Sequence, residues 1–383
     1  MNNHRGDFDS MKIGCPKEIK NHEYRVGLTP AAVKAYCEAG HEVYMQKDAG
    51  AGSGIADAEY VSAGARVLPT AEEVWKSCEM IVKVKEPLPV EYDLLQRDQL
   101  VYTYFHFAAD ERLTRACLEK GIIALAYETV QEADGSLPLL KPMSEIAGRM
   151  APLMGAFYMG RIHGGRGLLP TGVPGVKPGN VLILGGGTVG RNAAHVAAGL
   201  GARVTILDIN LDTLGRLSDI MPPNVATVFS DSHTIDFHIE DADIVIGAVL
   251  VPGAKAPKLI TRETLKLLKP GCVFVDVAID QGGCSVTSRP TTHAEPIYVL
   301  ENIVHYCVAN MPGAYARTST FALNNRTIKY GLKLAGETLE KACARNLALK
   351  RGLNLYKGAI TFQPVAEAFG LEKFYKPVDE VLG

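Results

Sequence analysis

The run Asn180-Val-Leu-Ile-Leu-Gly185-Gly186-Gly187-Thr188-Val189-Gly190, followed at Val204-Thr-Ile-Leu-Asp208 by a second apolar run ending in a carboxylate, constrains this chain more than any other feature. It reads as a buried parallel strand, a glycine turn, a helix rich in small residues, and a second strand. Gly185 permits the tight turn, Gly187 lets the backbone approach a pyrophosphate, and Gly190 lets the helix lie near the strand. The helix N-terminal amides, from Thr188 and Val189 onward, face the anion. Asp208 can accept hydrogen bonds from both ribose hydroxyls of NAD and would repel the 2′-phosphate of NADP, so the pattern predicts an NAD-binding, doubly wound parallel sheet. The competing reading is an ordinary glycine turn in an α/β protein, which requires neither the following helix nor Asp208.

A length of 383 residues suits about two domains. Forty basic and forty-two acidic side chains give a net charge of -2, which leaves no global electrostatic reason to expect nucleic acid or an anionic membrane as partner and favours a small metabolite. Each apolar run breaks at Gly, Pro or charge well short of the roughly 20 residues that span a bilayer. The eight cysteines show no C-x-x-C pairing and read as reduced thiols of a cytoplasmic protein. Residues 1–10 are polar and aperiodic, an extension ahead of Met11-Lys-Ile-Gly. No H-E-x-x-H or related spacing occurs, so no metal site is expected.

Strand-like and helix-like runs alternate from Lys12 to Tyr127 in βαβ rhythm, which predicts a separate α/β unit with its own parallel sheet. Met143 to Arg161 carries apolar side chains at helical spacing and reads as a long connecting helix, and the Gly/Pro-rich stretch Gly164 to Gly179 as a partner-contacting loop. Further strands are expected at Val225 to Phe229, Asp243 to Val249, Gly271 to Ala278 and Ile297 to Leu300, about six in the nucleotide sheet. From Thr318 onward the pattern turns helical, with no further strong strand. The expected organisation is therefore a substrate domain from 11–141, a nucleotide domain from 142–317, and a helical return to the first domain from 318–383, with a cleft between the two.

Four polar sites stand out. Arg25, within Lys20-Asn-His-Glu-Tyr-Arg25-Val, suits bidentate capture of a carboxylate. Lys85 ends the run Met80 to Lys85, and His106 ends Leu100 to His106, both at the carboxyl edge of a sheet where α/β proteins bind ligands; histidine is also the side chain best able to exchange a proton near neutral pH. Asp280 follows the run Val273 to Ile279, and there the backbone of Val277, Ala278 and Ile279 can pass close to a nicotinamide. Each has a plainer reading: solvated charge for Arg25 and Lys85, a hydrogen-bonded core residue for His106. Asp276 is an alternative reactive carboxylate, although its place in the strand suggests a structural hydrogen bond.

From Met11 to the C-terminus the chain closely resembles the bacterial L-alanine dehydrogenases, relatives of the nucleotide-binding subunit of proton-translocating transhydrogenase. The resemblance rests on Lys20 to Val26, Lys83-Val-Lys85-Glu-Pro, Tyr127-Glu-Thr-Val, Pro142-Met-Ser144-Glu, Gly164-Gly-Arg-Gly, Gly247 to Pro257, Val275 to Gly283, Ser288-Arg289-Pro-Thr-Thr and Cys307-Val-Ala-Asn310-Met-Pro. It implies an α/β fold of two Rossmann-like domains, one binding NAD and one a discontinuous substrate domain, joined by long helices. It also implies that Arg25 and Lys85 bind substrate, that His106 and Asp280 are the catalytic pair, and that Ser144, Asp208, Ser230, Val249, Leu250, Arg289, Val308, Ala309, Asn310 and Met311 border the cofactor. The implied reaction is reversible oxidative deamination of L-alanine to pyruvate and ammonium, by a homohexamer. Rival readings are a transhydrogenase-like subunit exchanging hydride between nucleotides, a non-catalytic NAD sensor, and a saccharopine dehydrogenase.

Overall fold

Short runs of aliphatic residues, buried on both faces in the central strands, build two parallel-dominated sheets, as expected where helices cover each side. The computed structural model describes residues 10–249 and 256–383. The chain divides into one unit made of the described residues up to Met143 together with Gly313–Gly383, and a second unit, Ser144–Pro312.

In the first unit β1 (Lys12–Cys15), β2 (Glu42–Gln46), β3 (Arg66–Leu68), β4 (Met80–Val82), β5 (Leu100–Thr103) and β6 (Ile123–Ala126) pair in parallel. Helices between them have local start and stop signals. Thr29 accepts from the Ala32 N–H ahead of Pro30–Glu38, and Asp110 caps Glu111–Lys120, which closes on Gly121 at φ 67°. Trp75, Phe105, Phe107 and Leu113 fill one side of the sheet.

Helix Lys141–Tyr158 leads into the second unit. Its sheet comprises β7 (Asn180–Leu184), β8 (Arg203–Asp208), β9 (Val225–Phe229), β10 (Ile244–Gly247), β11 (Val273–Asp276), β12 (Ile297–Leu300) and β13 (Ile303–Tyr306), in the order β12-β13-β11-β10-β7-β8-β9. Along β7 the side chains alternate between two cores: Val181 and Ile183 join Ala193, Ala194 and Ala197 of the following helix, while Leu182 and Leu184 pack with Ile235, Leu265 and Phe274. The sheet thus has seven strands, one more than the pattern suggested. The unforeseen β13 is antiparallel to β12, and the turn between them is Glu301-Asn302, both left-handed at φ 52° and 62°. This is the two-residue hairpin geometry usually signalled by Asn-Gly or Asp-Gly, and Glu-Asn does not announce it.

The last part of the chain corrects the expectation of a purely helical tail. After helices Ala316–Gly336, Leu339–Arg345 and Leu347–Gly352 come β14 (Leu353–Tyr356) and β15 (Ala359–Ile360), then helix Gln363–Phe369. β14 pairs antiparallel with β6, and β15 with β14, completing an eight-stranded sheet in the order β15-β14-β6-β5-β4-β1-β2-β3. The connecting turn, Lys357-Gly358, is again left-handed at both residues, φ 49° and 92°. β15 has only two residues and β14 follows directly on helix Leu347–Gly352, so the helical pattern around them masks their alternation.

The glycine turn fits close approach of helix to strand. A Cβ at Gly190 would lie 1.8 Å from the Gly185 carbonyl oxygen, whereas one at Gly187 would meet nothing within 4 Å. Gly190→Ala must therefore push helix Thr188–Gly199 away from β7, and denaturant unfolding should show a loss of about 2 kcal/mol. Gly187→Ala, at the helix cap, should stay within about 1 kcal/mol of wild type.

Candidate functional site

In both sheets the flagged residues follow the carboxyl ends of parallel strands, beside the point where strand order reverses. In the first unit that point lies between β1 and β4, in the second between β7 and β10.

Arg25, Lys85 and His106 come from segments following β1, β4 and β5, which are neighbours in the sheet. Arg25 is buried and forms a forked ion pair with Glu23, Nε to Oε1 at 2.7 Å and Nη2 to Oε2 at 2.5 Å. Burial works against its charge, but the hydrogen bond and charge of Glu23 outweigh it and raise the guanidinium's pKa further. Its Nη1 lies 3.0 Å from Met143 Sδ, a far weaker acceptor than a carboxylate. Helix Ala316–Gly336 fixes the chain around it: Val26 N–H donates to Thr320 Oγ1, Thr29 N–H to Asn324 Oδ1, and Asn324 Nδ2 to Gly27 O. A Cβ at Gly27 would fall 2.5 Å from the Val82 carbonyl oxygen, so the segment hugs the end of β4.

Lys85 and His106 lie beyond their strands, not at the strand ends expected of them. β4 ends at Val82 and β5 at Thr103. In each case a carboxylate draws the main chain out of the ladder. Glu18 Oε1 accepts from the N–H groups of Val84 at 2.6 Å and Lys85 at 3.2 Å, and Glu128 Oε1 from Phe105 at 3.2 Å and His106 at 2.6 Å. His106 is exposed and adopts a left-handed φ of 53°, the kind of backbone strain that collects at functional positions. Its ring stacks on Tyr104, centroids 5.9 Å apart, and Tyr104 in turn donates its hydroxyl to Leu139 O at 2.6 Å.

Beneath these segments is a fully buried charge cluster. Lys83 Nζ lies 2.9 Å from Glu91 Oε1 and 3.3 Å from Glu18 Oε2. Lys20 pairs with Glu86, joining the segments that carry Arg25 and Lys85. Burial raises the Glu18 pKa, and Lys83 opposes the shift. Sequence reasoning missed Glu18, Glu91 and Glu128, whose only signal is charge beside apolar runs, and Tyr104, which carries no such signal.

In the second unit Gly185 is left-handed at φ 104°, and a Cβ there would lie 2.8 Å from the Ala248 carbonyl oxygen, so the ends of β7 and β10 nearly touch. Open space at Gly187 and the first amides of Thr188 and Val189 form the cradle a pyrophosphate needs. Asp208 closes β8 with Oδ2 accepting from Gly186 N–H at 2.6 Å and Oδ1 from Asn210 N–H at 2.8 Å; each oxygen keeps further lone-pair capacity. Ser230 follows β9 and donates its N–H to Asp208 O. Val249 follows β10, and Leu250 lies outside the described residues. These features fit a dinucleotide-binding fold.

Val277, Ala278, Ile279 and exposed Asp280 form a 3-10 turn after β11. Asp276 is fully buried and accepts from Ala278 N–H at 3.1 Å, Cys284 N–H at 2.9 Å and the Ser288 hydroxyl at 2.5 Å. This is the structural role its strand position suggested. Arg289 lies over the Tyr298 ring, 4.2 Å from its centroid. Val308 to Met311 follow β13: buried Val308 bridges to Thr291, Ala309 N–H donates to Thr291 O, and Asn310 is left-handed at φ 60°. Ser144 sits half-buried on helix Lys141–Tyr158.

Family models for alanine dehydrogenase/PNT proteins match the chain in two parts, the N-terminal domain over residues 14–147 and the C-terminal domain over 151–363. The chain is 52% identical to an alanine dehydrogenase of Methanococcus maripaludis over 373 residues, 97% of this chain and 100% of the relative. It is 50% identical to that of Mycolicibacterium smegmatis over 361 residues, covering 94% and 97%. A solved L-alanine dehydrogenase structure superposes with a TM-score of 0.91 at 51% identity, over 94% of this chain and 99% of that one. A transhydrogenase structure from Sinorhizobium meliloti gives 0.77 at 24% identity over 92% and 99%, a likeness of fold alone.

The buried cluster predicts a pH-dependent variant. Lys83→Met leaves Glu18 and Glu91 buried without their cation and should cost about 3–5 kcal/mol in denaturant unfolding at about pH 8. Removing Lys83 takes away the influence that lowers the Glu18 pKa, so the folded variant binds protons more readily than the unfolded chain. Its stability therefore rises as pH falls, and the gap to wild type should narrow by about pH 5.

Proposed function

The chain belongs to the alanine dehydrogenase/PNT family, and from that premise we propose that it is an NAD-dependent L-alanine dehydrogenase. It converts L-alanine, NAD+ and water to pyruvate, ammonium, NADH and a proton, and runs in reverse. What supports this reading is the placement of Arg25, Lys85 and His106 in segments that follow three neighbouring strands of one sheet. A hydride exchange between nucleotides has no use for such a carboxylate-binding, proton-exchanging set. Preference for NAD rests on Asp208, whose carboxylate suits ribose hydroxyls and repels a 2′-phosphate.

Arg25 binds the substrate carboxylate, which the planar guanidinium fork suits. Lys85 binds the oxo group of pyruvate and stabilises negative charge as it develops there. Together they orient Cα, turning binding energy into alignment for hydride transfer. The nicotinamide supplies the hydride acceptor. Loss of hydride leaves an iminium carbon that water attacks, and His106, exposed and held through its backbone by Glu128, exchanges protons with the resulting carbinolamine oxygen. Asp280 supports the attacking water and the iminium and ammonium charge. Ser144, Gly185, Gly187, Thr188, Val189, Gly190, Ser230, Val249, Leu250, Val277 to Ile279, Arg289 and Val308 to Met311 complete the nucleotide contacts.

Among the described residues no helix is long and apolar enough to cross a membrane. All eight cysteines are unpaired, which agrees with a cytoplasmic setting. We also propose a homohexamer, with the exposed Leu153 and Phe157 of helix Lys141–Tyr158 in a subunit contact; light scattering tests it.

NADH formation should be seen with L-alanine and be far weaker with glycine or with L-lysine plus 2-oxoglutarate. His106→Ala and Asp280→Ala should each lower turnover by at least about 10²-fold while NADH titration changes little. Near-normal turnover in either variant defeats the assigned roles. Hydride exchange between nucleotides without alanine oxidation would support the transhydrogenase-like reading.

A further inference from the structure

The loop that carries Asp280 is gripped on two sides by opposite charges. Gly282 and Gly283 are consecutive left-handed residues, φ 89° and 77°. Their carbonyl oxygens and that of Ser285 converge on Lys258 Nζ, at 2.6, 2.8 and 3.0 Å. An ammonium has three N–H donors, and each meets a carbonyl. On the other side buried Asp276 accepts from Ala278 N–H, Cys284 N–H and the Ser288 hydroxyl. The carboxylate thus collects donors from the loop, and the ammonium collects acceptors.

The segment from Ala256 to Ile260 completes the grip. Ala256 N–H donates to Gln281 O at 3.0 Å, and Leu259 and Ile260 N–H both donate to Cys284 O. A double-glycine turn has high conformational freedom when unrestrained, and three carbonyls aimed at one point repel one another unless a cation sits among them. A Cβ at Gly283 would lie 2.6 Å from Asp276 Oδ2, so the loop leaves no slack on the carboxylate side. Asp280 is exposed in the middle of this segment, and its position is set through its backbone.

We propose that Lys258 is a positioning residue: its ammonium, opposed by Asp276, clamps the Ala278–Ser288 loop and holds Asp280 in register for the reaction. The link to Asp280 rests on the function proposed above; the clamp itself does not. A guanidinium is a poor replacement, because its planar fork does not match a three-carbonyl cup that accepts a compact point charge.

The test uses the full-length protein. In Lys258→Met, kcat for L-alanine oxidation should fall by about 10²-fold, the loss that a displacement near 1 Å produces. KM for L-alanine should stay within about threefold of wild type, since no side chain assigned to the substrate is removed, while NADH binds somewhat more weakly because Ala278 and Ile279 lie in the loosened loop. Amide hydrogen exchange should accelerate over 278–288 and stay unchanged in β7 and β10. Lys258→Ala lacks the propylammonium portion of the side chain; n-propylammonium chloride should restore part of kcat and of the exchange protection, and tetramethylammonium chloride at equal ionic strength, which has charge but no N–H donors, should restore neither.

Wild-type kcat with unchanged exchange in Lys258→Met would overturn the proposal. So would acceleration of exchange throughout the sheet without rescue of Lys258→Ala, which would mark a general structural role. Exchange is read without turnover, so a wild-type protein inert towards L-alanine would defeat the functional reading while the loop data still decide the clamp.

Discussion

A parallel strand that leaves its sheet before reaching water presents backbone N–H groups that need acceptors. This chain supplies them with carboxylates at the edge where the candidate site residues lie. Glu18 takes the N–H groups of Val84 and Lys85, and Glu128 those of Phe105 and His106. Asp208 takes Gly186 and Asn210, and Asp276 takes Ala278 and Cys284. Each acceptor fixes where the main chain turns away, and each turn fixes a side chain or an amide aimed outward. The constraint is local in energy, roughly 1.5–3 kcal/mol for a hydrogen bond to a charged group, yet it determines the direction of Lys85 and His106 and the shape of the glycine turn.

The same carboxylates explain how much could be read from the linear chain. Gly185, Gly190 and Asp208 were legible because strand, turn, helix and second strand follow one another at fixed spacing, so one stretch carries the whole geometric requirement. Lys85 and His106 were legible as polar residues closing apolar runs. The point where their strands stop was not, because the acceptors that end them are distant in sequence: Glu18 is 66 residues from Val84, and Glu128 is 22 from His106. The two hairpins were hidden for another reason. Glu301-Asn302 and Lys357-Gly358 adopt left-handed pairs without the residue combinations that usually announce them. Leu250, flagged beside Val249, lies outside the described residues.

Burial of charge recurs in the first unit. Arg25 with Glu23, and Lys83 with Glu18 and Glu91, are ion pairs taken almost wholly out of water. Such pairs add little net stability compared with well-packed apolar residues. Their use here is rigidity: long, flexible side chains lose their alternatives when each polar atom has a fixed partner, and an active-site group must be held within fractions of an ångström to be effective.

The antiparallel pairing of β6 with β14 sets an order of events during synthesis. β6 is made more than two hundred residues before its partner, and the Thr320 and Asn324 side chains that secure the chain around Arg25 also emerge late. The second unit is one continuous segment and is fully synthesised before the first has its missing strands. While the ribosome makes the intervening chain, β6 remains an open sheet edge able to pair with another molecule. The residue nearest the start of the chain that is assigned to the substrate is therefore among the last to be locked in place, and chains that end soon after Pro312 contain every strand of the second sheet while the first is still unfinished.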